Sequence, residues 1–247
     1  MDVTAASRLL DELRGGNRGF AGERRLAERI TAACPAAPRM IRFCDSWHAW
    51  AAQKAAHAGA RAVIFGGAGL PSRGDPLHRG AVNAGAWCGY PHPDDVAVTL
   101  RAQSFMGEVG ALASFAGSLL RPAALLEAAA EAGMPPGPVH LQWGMASWLT
   151  DAARAACMAD AYRHALPRGS TIAIAAAEST PDPGREAGLL SHSAEDVRAW
   201  AKGAGLEFDG PADYAVEDVR VQGRPWVRRR LCRVRGPRIV GAVARVP

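Results

Sequence analysis

Apolar positions along this chain fall into blocks whose period switches between that of a helix and that of a strand. Over residues 3–13 the apolar side chains recur every three or four positions and stop at Gly15-Gly16, which predicts an amphipathic helix. A second helix is expected over about Phe20–Ala33, ended by Cys34-Pro35, with Pro35 and Pro38 keeping the next residues extended. A third, Asp45–Ala58, carries Trp47, His48 and Trp50, and Gly59 follows as its C-terminal cap. The pattern then changes. Val63-Ile64-Phe65 is a short run of β-branched and aromatic residues that breaks into Gly66, Gly67 and Gly69, as a buried parallel strand with a glycine turn at its carboxyl end would.

Beyond that turn the chain alternates strand with helix. Strands are predicted at Ala84–Tyr90, Ala111–Ala116, Val139–Met145 and Ser170–Ala177, separated by helices from Asp95 to about Phe105, Pro122–Ala132 and Asp151–Ala165. Asp94 and Asp95 stand where a helix N-cap and first turn favour negative charge, and Ser193-Ala194-Glu195-Asp196 resembles a capping signal for a last helix reaching about Gly203. The Pro-, Gly-, Ser- and Thr-rich loop Glu178–Leu190 is expected to cover the strand ends. From Leu206 the chain alternates as strands do, with a turn at Gln222–Pro225, and predicts a closing antiparallel hairpin. The expectation is one α/β domain over residues 1–247. Residues 1–58 form a helical cap, and residues 59–247 a mostly parallel sheet with helices on both faces and the C-terminal hairpin.

Composition narrows the classes. Cys34, Cys44, Cys88, Cys157 and Cys232 lie far apart with no CxxC, so they read as small apolar residues of a reducing compartment and no metal site is expected. There is no apolar stretch of about 18 residues and no leader pattern, so no membrane span is expected and the cytoplasm is the expected location. The net charge of +5 is unevenly spread: residues 211–247 carry +6 and the remainder −1. The arginine-rich run Val227–Arg235 could follow phosphates, but it lacks a nucleic-acid module and aromatic interleaving beyond Trp226; a solvated edge strand is the expected reading and nucleic acid is not an expected partner.

In open α/β sheets ligands sit beyond the carboxyl ends of the strands, and glycines there let backbone approach them closely. The turn is not the dinucleotide fingerprint, because the third glycine position holds Ser72 and Pro71 interrupts the helix start. His48, with His92 and His140 behind it, is the candidate proton carrier. Trp47, Trp143, Met145 and Trp148 could wall an apolar pocket or pack in the core.

Five strand–helix units, a glycine turn after the first strand and a terminal hairpin resemble the class I S-adenosylmethionine-dependent methyltransferases, whose fold is Rossmann-like. More narrowly, Leu10–Arg24, Gly66–Ser72 with its Gly69-Leu70-Pro71, and Leu166–Ile174 resemble segments of an actinobacterial methyltransferase family. The resemblance implies S-adenosylmethionine as cofactor, with Gly66, Gly67, Gly69, Tyr90 and Ser118 as its binding residues. Trp47-His48 and Ser147-Trp148 depart from that family, and their two aromatics, imidazole and hydroxyl lead to the expectation of a small-molecule acceptor between Trp47 and Trp148, with Trp143 and Met145 in the wall and His48 as proton carrier and Ser147 as hydrogen-bond partner for the catalytic groups; a homodimer is compatible with this reading. Where that family has acids before the glycines, at the end of the second strand and after the third, this chain has Phe65, Tyr90 and Ser118. Weakened cofactor affinity is therefore expected. A secondary-metabolic methyltransferase is the first reading; a fold repurposed for cyclisation, elimination or rearrangement is the alternative, and a non-catalytic binding protein a third.

Overall fold

The computed structural model describes residues 3–71, 77–106, 108, 110–144, 151–177, 182–186, 189–208, 213–215 and 238–247. The strands are β1 (Ala62–Gly66), β2 (Trp87–His92), β3 (Leu112–Ala116), β4 (Val139–Trp143), β5 (Thr171–Ala177), β6 (Glu207–Phe208), β7 (Asp213–Ala215) and β8 (Arg238–Arg245). They form one sheet in the order β3-β2-β1-β4-β5-β8-β6, with β7 also pairing β8. β1 to β5 run parallel, while β8 is antiparallel to β5, β6 and β7. This is the mostly parallel sheet with antiparallel closure that the sequence predicts. The turn at Gln222–Pro225 and the arginine-rich run lie outside the described residues.

The helices are α1 (Val3–Arg14), α2 (Ala21–Ala33), α3 (Ala37–His57), α4 (Arg79–Asn83), α5 (Asp95–Ser104), α6 (Pro122–Glu131), α7 (Ala152–Ala165), α8 (Asp182–Glu186) and α9 (Ala194–Gly203). The two-residue period of each strand sorts its side chains between two layers. Ala62, Ile64, Val139, Leu141, Ile172 and Ile174 pack with α6, α7 and α9. Val63, Phe65, Cys88 and Tyr90 pack with α3 and α4 on the opposite face. Asp94 caps α5 as expected, its carboxylate accepting the Val96 and Ala97 amides, and Ser193 and Asp196 cap α9 reciprocally. Among the described residues no helix is long and apolar enough to cross a membrane.

Three boundaries differ from expectation. α3 begins at Ala37 rather than Asp45, because Pro38 falls in the first turn, where its missing N–H would have no intrahelical acceptor in any case. A short helix, α4, precedes β2, which starts only at Trp87. β2 also runs on through Pro91 to His92: β1 pairs it only as far as Ile64–Gly89, so Pro91 lies past the ladder on that side while β3 continues alongside.

The cap forms over this frame. Leu9, Leu10 and Leu13 of α1, Ile30 of α2 and Ile41 of α3 bury one another together with Leu189, which comes from the loop expected to cover the strand ends. Helix α3 belongs to both parts, since Met40, Phe43, Trp47 and Ala51 bury Ala173, Ala175 and Ala177 of β5. Trp47 lies against Gly241 of β8 so closely that a methyl group there would stand 2.7 Å from its indole. Gly241→Ala should therefore overpack this contact and cost about 1–3 kcal/mol. Urea unfolding should show the loss, and Trp47→Phe in the same chain should recover part of it.

Candidate functional site

Gly67 and Gly69 have φ of 70° and 72°, so the chain turns sharply as it leaves β1. Gly66 is required for a different reason: a Cβ there would meet the Gln142 carbonyl of β4 at 2.6 Å and Leu119 at 2.5 Å, so this glycine serves packing between strands. Arginines from three places hold the carbonyls of the turn. Arg14, at the end of α1, donates from Nη1 to Ala68 O at 3.1 Å and pairs bidentately with Asp45 of α3 at 2.6 and 2.8 Å. Arg101 of α5, only 1% exposed, donates to Gly69 O at 3.0 Å, and Arg18 donates to Pro71 O. Arg18 is itself placed by α1, whose Asp11 carboxylate accepts the Arg18 amide at 3.0 Å while Glu12 accepts the Gly19 amide at 2.7 Å.

Two cavities flank the turn. The first, about 30 Å³, is bordered by Arg14, Asp45, His48, Gly66, Gly67 and Gln142 and has room for about one water. The second, about 490 Å³, lies between the cap and the β2–α5 junction, with Ser7, Arg8, Phe20, Leu70, His92 and Asp94 among its walls.

The predicted site residues separate. His48, Gly66 and Gly67 meet at the first cavity. Trp47 is next to His48, edge to face with centroids 5.1 Å apart, but is 1% exposed and packed on the sheet. Trp143 lies on the opposite face, buried against Tyr162 in the α6–α7 layer. Tyr90 is fully buried: its ring stacks on Phe65 at 4.7 Å and lies 4.4 Å under the Arg101 guanidinium, and its hydroxyl is 3.0 Å from His78 Nδ1. Ser118 Oγ accepts the Leu120 amide at 3.3 Å, before α6. Met145, Ser147 and Trp148 lie outside the described residues. Arg14, Asp45 and Arg101 escaped the sequence reading because their roles are contacts between distant segments; the one local signal was Arg14 standing directly before Gly15-Gly16. Among the described residues no group of three or more His, Cys, Asp and Glu side chains could hold a metal ion.

Beneath the turn runs a buried polar chain. Gln142 Nε2 donates to His48 O at 2.6 Å and lies 3.3 Å from His140 Nε2, and His140 Nδ1 is 2.7 Å from Thr171 Oγ1. Both ring nitrogens of His48 are buried without a hydrogen-bond partner. Burial, then His140 and Arg14, pushes the His48 pKa down to about 3; burial alone takes His140 to about 3. His92 falls to about 4 through burial and then Arg101, against a smaller opposing effect of Asp94.

These three imidazoles stay neutral in the folded chain but bind protons below about pH 6.5 when it unfolds. Stability present above that pH should therefore fall as pH drops from 6.5 toward 4, by about 1.4 kcal/mol per pH unit for each histidine. Urea unfolding at stepped pH checks this; a flat dependence between pH 6.5 and 5 would contradict it.

Solved structures share the fold. A candidate methyltransferase from Thermobifida fusca YX aligns over 98% of this chain and 94% of its own at TM-score 0.74 and 17% identity. A DUF574-family protein from Streptomyces avermitilis MA-4680 aligns over all of both chains at TM-score 0.72 and 19% identity. Magnesium protoporphyrin IX methyltransferase from Synechocystis PCC 6803, solved with bound S-adenosylmethionine, aligns over 98% and 97% at TM-score 0.53 and 13% identity. No curated protein matches the chain. Residues 1–201, which include the cap, the glycine turn, both cavities and all five parallel strands, match the model of one family. The chain belongs to the S-adenosyl methyltransferase family, whose cofactor is S-adenosylmethionine.

Proposed function

We propose that the protein transfers the methyl group of S-adenosylmethionine to a small-molecule acceptor. The observation that carries this reading is the glycine turn at the end of β1, which passes through the positive-φ Gly67 and Gly69 and is placed between an Arg14–Asp45 pair and a cavity of about 490 Å³. The side chains on its two sides match the two ends of the cofactor. Arg14 and Asp45 offer opposite charges to the carboxylate and ammonium of its amino-acid end. The larger cavity has the size and mixed lining that suit its nucleoside. The amino-acid end needs more than about 30 Å³, so binding exchanges the Arg14–Asp45 contact for contacts to the ligand's own two charges. When bound, the cofactor supplies a methyl group on a sulfonium already activated for displacement.

The chain's part is then positioning. The arginines fix the turn, and the cap excludes water over the strand ends. His48, neutral and without a partner at either ring nitrogen, borders the space beside Gly66 and Gly67, where it can orient an acceptor hydroxyl or amine. With its pKa near 3 it is a hydrogen-bonding group rather than a proton store at neutral pH. The dimensions of the two cavities, about 30 and 490 Å³, favour a small acceptor over a macromolecule. Met145, Ser147 and Trp148, which follow β4, are proposed for the acceptor's side by their place in the sequence.

Titration calorimetry with S-adenosylmethionine tests the reading. The wild type should bind, and Gly67→Val should abolish binding while unfolding stays cooperative, since the new side chain strains a positive φ and blocks close approach. No heat from the wild type at millimolar ligand would overturn it. Once an acceptor is in hand, His48→Gln should slow methyl transfer by about tenfold or more. The wild-type kcat profile should show no histidine limb between pH 6 and 8, and a limb there that vanishes in the variant would make His48 the base.

A further inference from the structure

Both hydrogens of one buried amide are committed to the protein. Gln142 is 2% exposed and borders the smaller cavity beside His48. The His48 carbonyl can only accept, so the Gln142 atom 2.6 Å from it is the NH₂ group and not the amide oxygen. The same nitrogen lies 3.3 Å from His140 Nε2, which is then the bare nitrogen of a neutral ring. His140 therefore carries its hydrogen on Nδ1 and donates it to Thr171 Oγ1 at 2.7 Å. With both amide hydrogens used, what Gln142 has left for a ligand is its carbonyl oxygen, which only accepts.

His48 supplies a second acceptor. Its neutral ring has one bare nitrogen and one N–H, and neither has a hydrogen-bond partner. A nitrogen bearing two hydrogens can give one to Gln142 and one to His48, with its lone pair left over for attack. A hydroxyl or a secondary amine has only one hydrogen to give. The second constraint is the proton. Among the described residues the titratable groups bordering the cavity are Arg14, Cys44, Asp45 and His48. Asp45 is held through both oxygens by Arg14, burial and then Asp45 push the Cys44 thiol up, and the His48 pKa lies near 3. A phenol or alcohol needs a base to become a good nucleophile, and an alkylammonium ion has no lone pair until it loses a proton; neither finds a base among these groups. An arylamine is already uncharged at neutral pH.

We propose that the methyl acceptor is a weakly basic amine with two N–H groups, held by Gln142 Oε1 and the His48 ring, and that His140 is the positioning residue that fixes which way the Gln142 amide faces. This rests on the methyl-transfer reading above. The amine's lone pair forms the new C–N bond as the methyl C–S bond breaks, the electron pair of that bond stays on sulfur, and the surplus proton passes from the product nitrogen to water.

Aniline, N-methylaniline and phenol are the probes. In NMR titrations of protein saturated with S-adenosylhomocysteine, aniline should bind about five- to tenfold more tightly than N-methylaniline, the scale of one hydrogen bond. Gln142→Met and His140→Phe should each bring the two affinities within about twofold of each other. With S-adenosylmethionine present, the wild type should methylate aniline and leave phenol at background. Its imidazole ¹⁵N spectrum should place the His140 hydrogen on Nδ1. Equal affinity for the two amines, a preference that survives in Gln142→Met, or transfer to phenol as fast as to aniline would overturn the proposal, as would no transfer to aniline by protein that binds S-adenosylmethionine. A hydrogen on His140 Nε2, or a preference that survives in His140→Phe, would remove the positioning role. Failure to bind S-adenosylmethionine at all would instead sink the cofactor reading. Should the variants not fold, the wild-type comparisons and the ¹⁵N spectrum decide alone.

Discussion

The glycine turn depends on guanidinium groups for its shape. A turn that leaves a strand through two positive-φ glycines has little side-chain packing of its own, and its carbonyls point away from any regular ladder. Here Arg14, Arg18 and Arg101 take the carbonyls of Ala68, Pro71 and Gly69 in turn. They come from the end of α1, the loop after it and α5, so the same contacts that shape the turn fasten the cap to the sheet. Arginine suits this task because its planar fork can serve a carboxylate and a carbonyl together, as Arg14 does with Asp45 and Ala68.

Behind the turn the interior is polar where a parallel sheet is usually apolar. His140 and Gln142 sit on central β4 with their side chains under α3, and each finds a partner: Thr171 for one, the His48 carbonyl for the other. Such a chain fixes how α3 seats on the sheet, because sliding the helix by one residue would leave Gln142 without its acceptor. His48 is thereby held at the cavity by its backbone while its two ring nitrogens are left without a hydrogen-bond partner.

Much of the fold was legible because it rests on local signals. The hydrophobic period placed all five parallel strands, and capping residues such as Asp94 and Ser193 marked helix starts to within a residue. Errors came where a proline had two readings: Pro38 opens a helix, and Pro91 sits inside a strand because the neighbouring ladder has already ended. The site was less legible. A tryptophan at the end of a strand faces one layer or the other by register alone, and Trp143 faces α6 and α7 while Trp47 is pressed on β8. Tyr90 and His92 share one face of β2, yet only the one nearer the strand's end reaches the cavity. The arginine contacts span from 32 to 54 positions of sequence, and no local pattern announces them.

The place of β8 has a bearing on how the molecule is made. This last strand is not at the edge of the sheet but lies between β5 and β6, pairing with β5 from Thr171–Arg245 to Ala177–Ile239. During synthesis the alanine-rich β5 therefore emerges with one side unpaired and stays so until about sixty further residues have followed. Through that interval Ala173, Ala175 and Ala177 can be covered on one face by α3, which is already made, but the backbone groups along the open side have only water. A nascent chain of this protein passes through a stage in which one edge of β5 is bare, and residues 238–245 close it.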